Sequence, residues 1–428
     1  MQIFPMASPF AVVTYPVFMQ LLFPTFLIHL TRGLTVACLP LFILEGMELS
    51  KFHVGIAIGA AGLGKVLLDL PAGVLLERVG SRKLMMLGAL LIVGSSLINL
   101  IMVNLLNFPG LVVGMFVYGA GQGAGVLSRL AMMSEKIEPH ERGRVSSLLG
   151  GSDRLGLAVG PLLAVGASAL GGISAVFLIQ AILAVASAAV IFYTGKSGRI
   201  EIESSSPSGT SFCSRGCASR INLKSLLNVS AFVTALQLVR EGRRLVIPIA
   251  GYEIGLSSDQ VAWYSTISFG VDAALFVISG TLMDTYGRLF SGSLSISLLC
   301  LSLLILVPGL SSGIIFLHAI LAGLGNGLSA GIVPALGADL APEIHRAEFL
   351  GYFRLFADTG ELIGPFLVGI MAQFTSIPTM MNSLAFVGTF GAFWLILFVP
   401  ETLVPTEKTG VTLVPIGRQN SQPIDAVL

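Results

Sequence analysis

Long apolar runs, broken at intervals by short polar stretches, dominate the chain. A helix needs about 20 apolar residues to cross the hydrocarbon of a bilayer. Twelve such runs can be drawn, at 18–44, 53–76, 84–104, 110–133, 146–168, 173–194, 227–252, 261–283, 290–308, 313–338, 348–373 and 381–400. They are continuously apolar rather than alternating, so they read as helices and not as barrel strands. The pattern predicts an all-α membrane protein with twelve transmembrane helices.

The breaks alternate in character. Those at 104–110, 169–173, 308–313 and 374–379 are short and nearly uncharged, and 44–53 and 253–260 belong with them, with Lys51 as their one cation. The other set holds Arg78, Arg82, Lys83, Lys136, Arg142, Arg144, Arg288, Arg346 and the cations of a central segment. Cations gather on the cytoplasmic side of membrane proteins, so both termini and the central segment are expected there, in a plasma membrane or bacterial inner membrane. The chain divides into a six-helix bundle (1–194), a Ser-rich cytoplasmic linker (195–224), a second six-helix bundle (225–403) and a tail (404–428). The N-terminus has no basic region ahead of a short apolar one, and its first cation is Arg32, so the first helix is expected to be retained.

Composition strengthens this picture. The chain is 54% hydrophobic and 11% charged, against about 25% charged for an average soluble domain. A net charge of +1 without a basic block gives nucleic acid no footprint. Cys213 and Cys217 are spaced C-x3-C in the linker, with no His nearby to complete a metal site, and read as loop thiols. No metal site, cofactor or disulfide framework is expected. There is no P-loop, no H-E-x-x-H and no G-x-S-x-G on a strand-to-helix turn, which points away from an enzyme and from an ATP-driven pump.

The two halves repeat each other. Gly73-x-Leu75-x-Glu77-x-x-Gly80, with Arg78 and Arg82, follows the second span, and Gly280-x-Leu282-x-Asp284-x-x-Gly287-Arg288 follows the eighth. Gly121-Gln122-Gly123 matches Gly325-Asn326-Gly327. Gly156-x3-Gly160-Pro161 matches Gly360-x3-Gly364-Pro365. Arg32 stands eight residues before Pro40, as Arg240 does before Pro248. The four matches keep one order, at offsets of 204 to 208.

At these residues the chain resembles the major facilitator superfamily, whose loop motif is G-x-L-a-D-r-x-G-r-k. Glu77 replaces the usual Asp and Ser81 a basic residue. The resemblance implies two pseudosymmetric six-helix bundles around a midplane cavity that opens to alternate sides. It also implies a gating role for the motif loops. Gly73 and Gly280 would let a neighbouring helix approach, and Glu77 and Asp284 would meet the helix starts of spans 11 and 5 in the opposite half, where negative charge is favoured. Arg78, Arg82 and Arg288 are candidate partners of these acids, with topology alone as the plainer reading. The G-x3-G-P pairs would bend spans 5 and 11. The drug/metabolite proton-antiporter form of that motif ends in two glycines, replaced here by Ala164 and Val165. That group's proton-linked arginine in span 4 is Gly119 here.

Charges inside spans are costly, by roughly 2.5–3.5 kcal/mol at mid-helix. Lys65 with Asp69, and Arg354 with Asp358, stand four apart and can pair locally. The repeat offers another arrangement, because Lys65 maps onto Asp272 and Arg154 onto Asp358. With the family packing, this gives two bridges of reversed polarity between the halves, Lys65–Asp358 and Arg154–Asp272. Arg32 and Arg240 resemble the arginine pair that grips phosphate in organophosphate:phosphate antiporters, and Arg243 and Arg244 would add positive charge to the cavity. The competing reading of Arg32 is structural, and His29 reads as packed or cavity-facing. Asp69, Asp358 and Glu361 are candidates for proton coupling, since burial disfavours the charged form of a carboxylate. The expected function is secondary transport of a small organic solute, as proton-coupled efflux by a monomer. The alternatives are an organic-anion or phosphate-ester carrier and a transport-inactive receptor or scaffold.

Overall fold

The structure is a computed structural model and describes residues 18–137, 142–194, 223–341 and 346–402. Most of the linker, with Cys213 and Cys217, the tail, and the Glu77 side chain lie outside the described residues. Each expected span has a helical counterpart. These are α1 (Phe18–Gly46), α2 (Lys51–Val79), α3 (Ser81–Asn104), α4 (Phe108–Lys136), α5 (142–170), α6 (173–194), α7 (Leu223–Glu253), α8 (Ser258–Tyr286), α9 (Arg288–Leu304), α10 (Ser312–Leu340), α11 (Arg346–Phe374) and α12 (Ile377–Phe398). Among the described residues, eight helical stretches are long and apolar enough to cross a membrane, or nine counting the bent α8 as one. One of these, Leu148–Thr194, holds two expected spans. In α7 the run Arg240, Glu241, Arg243, Arg244 dilutes the apolarity. Large apolar side chains such as Ile101, Phe386, Phe393 and Ile396 stand exposed on the outside, where lipid replaces water as their neighbour.

Three turns show how local sequence sets this layout. Between α5 and α6 only Gly171 and Gly172 leave helical geometry, and Gly172 takes φ 62°. After α2 and α8 the chain reverses over a single residue, Gly80 at φ 83° and Gly287 at φ 95°. A side chain at these positive φ values would be strained. The second glycine of each motif copy is therefore needed for the turn itself.

The glycines of the G-x3-G-P pairs bring backbones together. A Cβ built at Gly156 would stand 2.8 Å from the Leu30 nitrogen of α1, and one at Gly364 would stand 2.9 Å from the Gly242 nitrogen of α7. So α5 lies on α1 as α11 lies on α7, and these are equivalent pairs in the two halves. Helical geometry runs through both Pro161 and Pro365. The observable work of these motifs is close helix contact.

Between the halves, α2 packs on α11, α5 on α8, and α1 on α7. The first two contacts are copies of each other, since α2 corresponds to α8 and α11 to α5. On the face away from the motif loops α2 and α11 nearly touch, with a Cβ at Gly55 falling 2.8 Å from the Gly369 Cα. Lys51 and Glu253 form an ion pair across the halves on the same face. On the motif face, by contrast, no described atom lies within 4 Å of a Cβ built at Gly73 or Gly280. The first side chains of α5 and α11, the expected neighbours of these two loops, lie outside the described residues.

Gly119 has a different explanation from its neighbours in sequence. A Cβ there would overlap the Ala61 carbonyl of α2. Gly119→Ala should destabilise the protein by about 1–3 kcal/mol through this overpacking. Gly94→Ala, where a Cβ meets nothing within 4 Å, should be neutral; melting curves of the purified variants in detergent compare the two.

Candidate functional site

A cavity of about 220 Å³ lies between the halves, walled by α1, α2, α4, α5, α7 and α11. Its apolar wall includes Val36, Ile58, Met115 and Leu245. Three ion-paired groups join the halves, each built on a different pair of helices, and the first and third reach the polar wall.

The first joins α2 to α11. Lys65 Nζ lies 2.6 Å from Asp358 Oδ1 and 2.7 Å from Glu361 Oε2. Arg354 reaches Asp358 Oδ2 at 3.3 Å and Asp69 Oδ1 at 3.8 Å. The local Arg354–Asp358 pair and the Lys65 bridge between halves thus coexist on one carboxylate, whereas Lys65 makes no pair with Asp69. Both Asp69 oxygens are buried without a hydrogen-bond donor, and its carboxyl stands within hydrogen-bond reach of Asp358. The Gln237 amide donates to Glu361 Oε1 at 2.9 Å.

The second group occupies the equivalent contact, with polarity reversed. Arg154 Nε of α5 lies 3.0 Å from Asp272 Oδ1 of α8. The Asn326 amide of α10 donates to the other oxygen at 2.6 Å. Arg154 also donates to the carbonyls of Gly150 and Ala330 and stands 5.9 Å from the Phe276 ring centroid. This group holds one cation and one carboxylate, outside the cavity wall.

The third sits where α1 meets α7. Arg32 of α1 binds Glu241 Oε2 at 3.0 Å, and Arg244 binds the same oxygen. Arg240 and Arg243 do not line the cavity. Arg240 donates to Ser329 of α10 and to Gln237, and Arg243 donates to Ser268 of α8 at 3.1 Å. Successive residues on a helix point about 100° apart, so four charges within five positions cannot share one direction. The expected Arg32–Arg240 grip is therefore corrected: the arginine facing Arg32 is Arg244.

One cavity charge, Arg129, escapes the sequence reading of the site. Arg129 of α4 binds Asp153 of α5 through two nitrogens, at 2.8 and 3.1 Å. His29 lies 3.1 Å from both partners, so it faces the cavity. With Gly119 closed against α2, Arg129 supplies the α4 cation two turns or more further along. Its position inside an apolar span was the available signal.

The motif cations hold their own halves together in this conformation. Arg82, at the start of α3, donates to the carbonyls of Ile191 and Phe192 at the end of α6, at 3.1 and 2.8 Å. Arg288, at the start of α9, binds Asp339 at 3.1 Å and Asp284 at 3.3 Å. Glu401, beyond α12, accepts from the backbone N–H groups of Arg288 and Leu289 at 2.9 and 3.0 Å. A cation thus meets a helix C-terminus in one half and an anion meets a helix N-terminus in the other. Arg78 is exposed. The Asp284 side chain is 75% exposed and pairs with Arg288 of its own half; the first side chains of α5, its expected partner, lie outside the described residues. Asp339 and Glu401 were not anticipated, since they lie outside the motif.

Comparison with known proteins now places the chain. The family model of the Major Facilitator Superfamily matches residues 21–240 and 228–420. The chain belongs to that superfamily, and it is an integral, multi-pass membrane protein. Over 175 residues it is 33% identical to the multi-drug resistance efflux pump PmrA of Streptococcus pneumoniae serotype 4, a match covering 38% of this chain and 41% of that protein. It is 27% identical over 168 residues to an uncharacterised transporter of Buchnera aphidicola subsp. Schizaphis graminum, again covering 38% and 41%. The matched region thus spans about two fifths of these curated relatives. Among solved structures, a D-xylose–proton symporter superposes with TM-score 0.69 at 15% identity, covering 90% of this chain and 98% of that one. A POT family transporter in complex with 5-aminolevulinic acid gives 0.72 at 14% identity, with 88% and 93% covered. These likenesses establish the fold.

Removing one partner of a buried pair strands the other. Asp272→Asn should therefore lower stability by about 3–5 kcal/mol, read as a fall in melting temperature in detergent. The double variant Arg154→Met/Asp272→Leu should recover most of that loss.

Proposed function

We propose that this protein is a secondary transporter that exports a small organic solute in exchange for protons, acting as a monomer by alternating access. The observation that carries the proton-coupling reading is the charge count of the α2–α11 group. Three carboxylates (Asp69, Asp358 and Glu361) face two cations, Lys65 and Arg354. Two carboxyl groups in contact cannot both ionise without cost, and Asp69 has no other donor. A proton shared by Asp69 and Asp358 balances the group.

The same group is one of the two contacts that must rearrange when the halves rock. Gaining or losing the proton changes how strongly Arg354 and Lys65 hold α11 to α2. Lys65 and Glu361 also line the cavity, so solute and proton act on one set of side chains. The equivalent α5–α8 contact has Phe276 where the first has Asp69, at the offset of the repeat, and its charges are already balanced. It is suited to act as the proton-independent partner.

Export is supported by the similarity to an efflux pump, and a cytoplasmic motif face by its cations. A transport-inactive scaffold would have no use for a charged cavity bridging both halves.

The test uses the purified full chain in proteoliposomes with an imposed pH gradient. Wild type should move solute against its gradient. Asp69→Asn should lose gradient-driven movement while keeping solute counterflow. Unchanged gradient-driven accumulation in Asp69→Asn would remove the coupling role.

A further inference from the structure

The cavity's second charge imbalance has the opposite sign. Two guanidinium groups, those of Arg32 and Arg244, meet where α1 faces α7, and α7 carries two more, those of Arg240 and Arg243, outside the cavity wall. Among the described residues, the only carboxylate in ion-pair contact with any of them is Glu241. Arg240 and Arg243 rest on neutral partners, Ser329, Gln237 and Ser268. The Nε atoms of Arg240, Arg243 and Arg244 are buried without an acceptor. Buried cations short of counter-ions are expensive. This corner of the cavity is therefore short of negative charge.

The two guanidiniums that reach the cavity both bind one oxygen of Glu241. Each has five N–H donors in a planar fork suited to an oxyanion, and among the described residues each donates one hydrogen bond, to that oxygen. Glu241 is tethered one turn from Arg244 on the same helix. Its carboxylate is the group on which the two guanidiniums converge.

We infer that Arg32 and Arg244 form a clamp for the carboxylate of a small organic monoanion, which competes with Glu241 for it. The inference rests on the transport reading above and names its solute class. The rest of the wall fits an apolar body, with Val36, Ile58, Met115 and Leu245. The volume of about 220 Å³ falls below the roughly 300–1,000 Å³ of drug-sized pockets, so the body is small. Glu241 also gives the clamp a reason to release its cargo, because it neutralises the guanidiniums once the solute leaves.

Benzoate, benzamide and benzylamine share one body and differ in charge, so they probe the clamp directly. Binding to the purified full chain in detergent is measured by calorimetry and by thermal shift. Wild type should bind benzoate in preference to the other two. Glu241→Gln should tighten benzoate binding about tenfold and leave benzamide unchanged, and benzoate should raise its melting temperature more than that of wild type. Arg244→Gln should lose benzoate selectivity, and melting without ligand shows whether each variant is folded. Benzamide or benzylamine bound as well as benzoate, no benzoate binding at all, or unchanged benzoate affinity in folded Glu241→Gln would each overturn the clamp.

Proteoliposome counterflow separates the two readings. Benzoate bound but never moved keeps the clamp and rejects transport. Benzamide or benzylamine moved without benzoate binding rejects the clamp and keeps transport. In transport-competent liposomes Glu241→Gln should keep benzoate exchange but lose net movement, since its empty site lacks the internal counter-ion.

Discussion

A charge taken out of water must find its counter-charge inside the protein, because lipid offers none. In this molecule that requirement falls on the contacts between two repeated halves. Lys65 is answered by Asp358 and Arg154 by Asp272, each across the same kind of helix contact with the signs exchanged. The glycine-lined packing around these contacts lets helices come close enough for the bridges to form. Fold and site are thus one problem, since the ion pairs that join the halves also surround the space between them.

The two ends of the cavity differ in a useful way. The α2–α11 group has a carboxylate too many, and the α1–α7 group has a guanidinium too many. Gln237 stands between them, donating to Glu361 and accepting from Arg240. A change of charge at one end therefore reaches the other through the packed helices α7 and α11, which carry both groups. Coupling between two sites requires an element that both of them bias. The packed α7–α11 pair, with Gly360 and Gly364 against the α7 backbone, is such an element.

Much of this was legible in the sequence, for identifiable reasons. The length of the apolar runs marked the helices, and the repeat turned offsets of 204 to 208 into spatial equivalence. That equivalence is why Lys65 and Asp358 could be paired although they are far apart in the chain. Directions around a helix were harder to read. Whether Arg240 or Arg244 faces Arg32 depends on where α10 and α8 lie, since Ser329 and Ser268 draw the other two arginines aside. Contacts made by isolated residues were out of reach altogether. Glu401 lies beyond the last span, and nothing in the motif loop announces that the α9 amides need it. The gating contacts expected of Gly73, Gly280 and Asp284 involve the first side chains of α5 and α11, which lie outside the described residues.

The single-residue turns at Gly80 and Gly287 carry a mechanical consequence. Helices joined over one residue have no slack, so α2 cannot tilt without pulling the start of α3, nor α8 without pulling α9. Arg82 and Glu401 then pass that pull to the far ends of α6 and α12. Each bundle behaves as a stiff lever with its load arm at the cavity and its handle at the motif face. Small rearrangements of the central ion pairs become larger displacements at the rim.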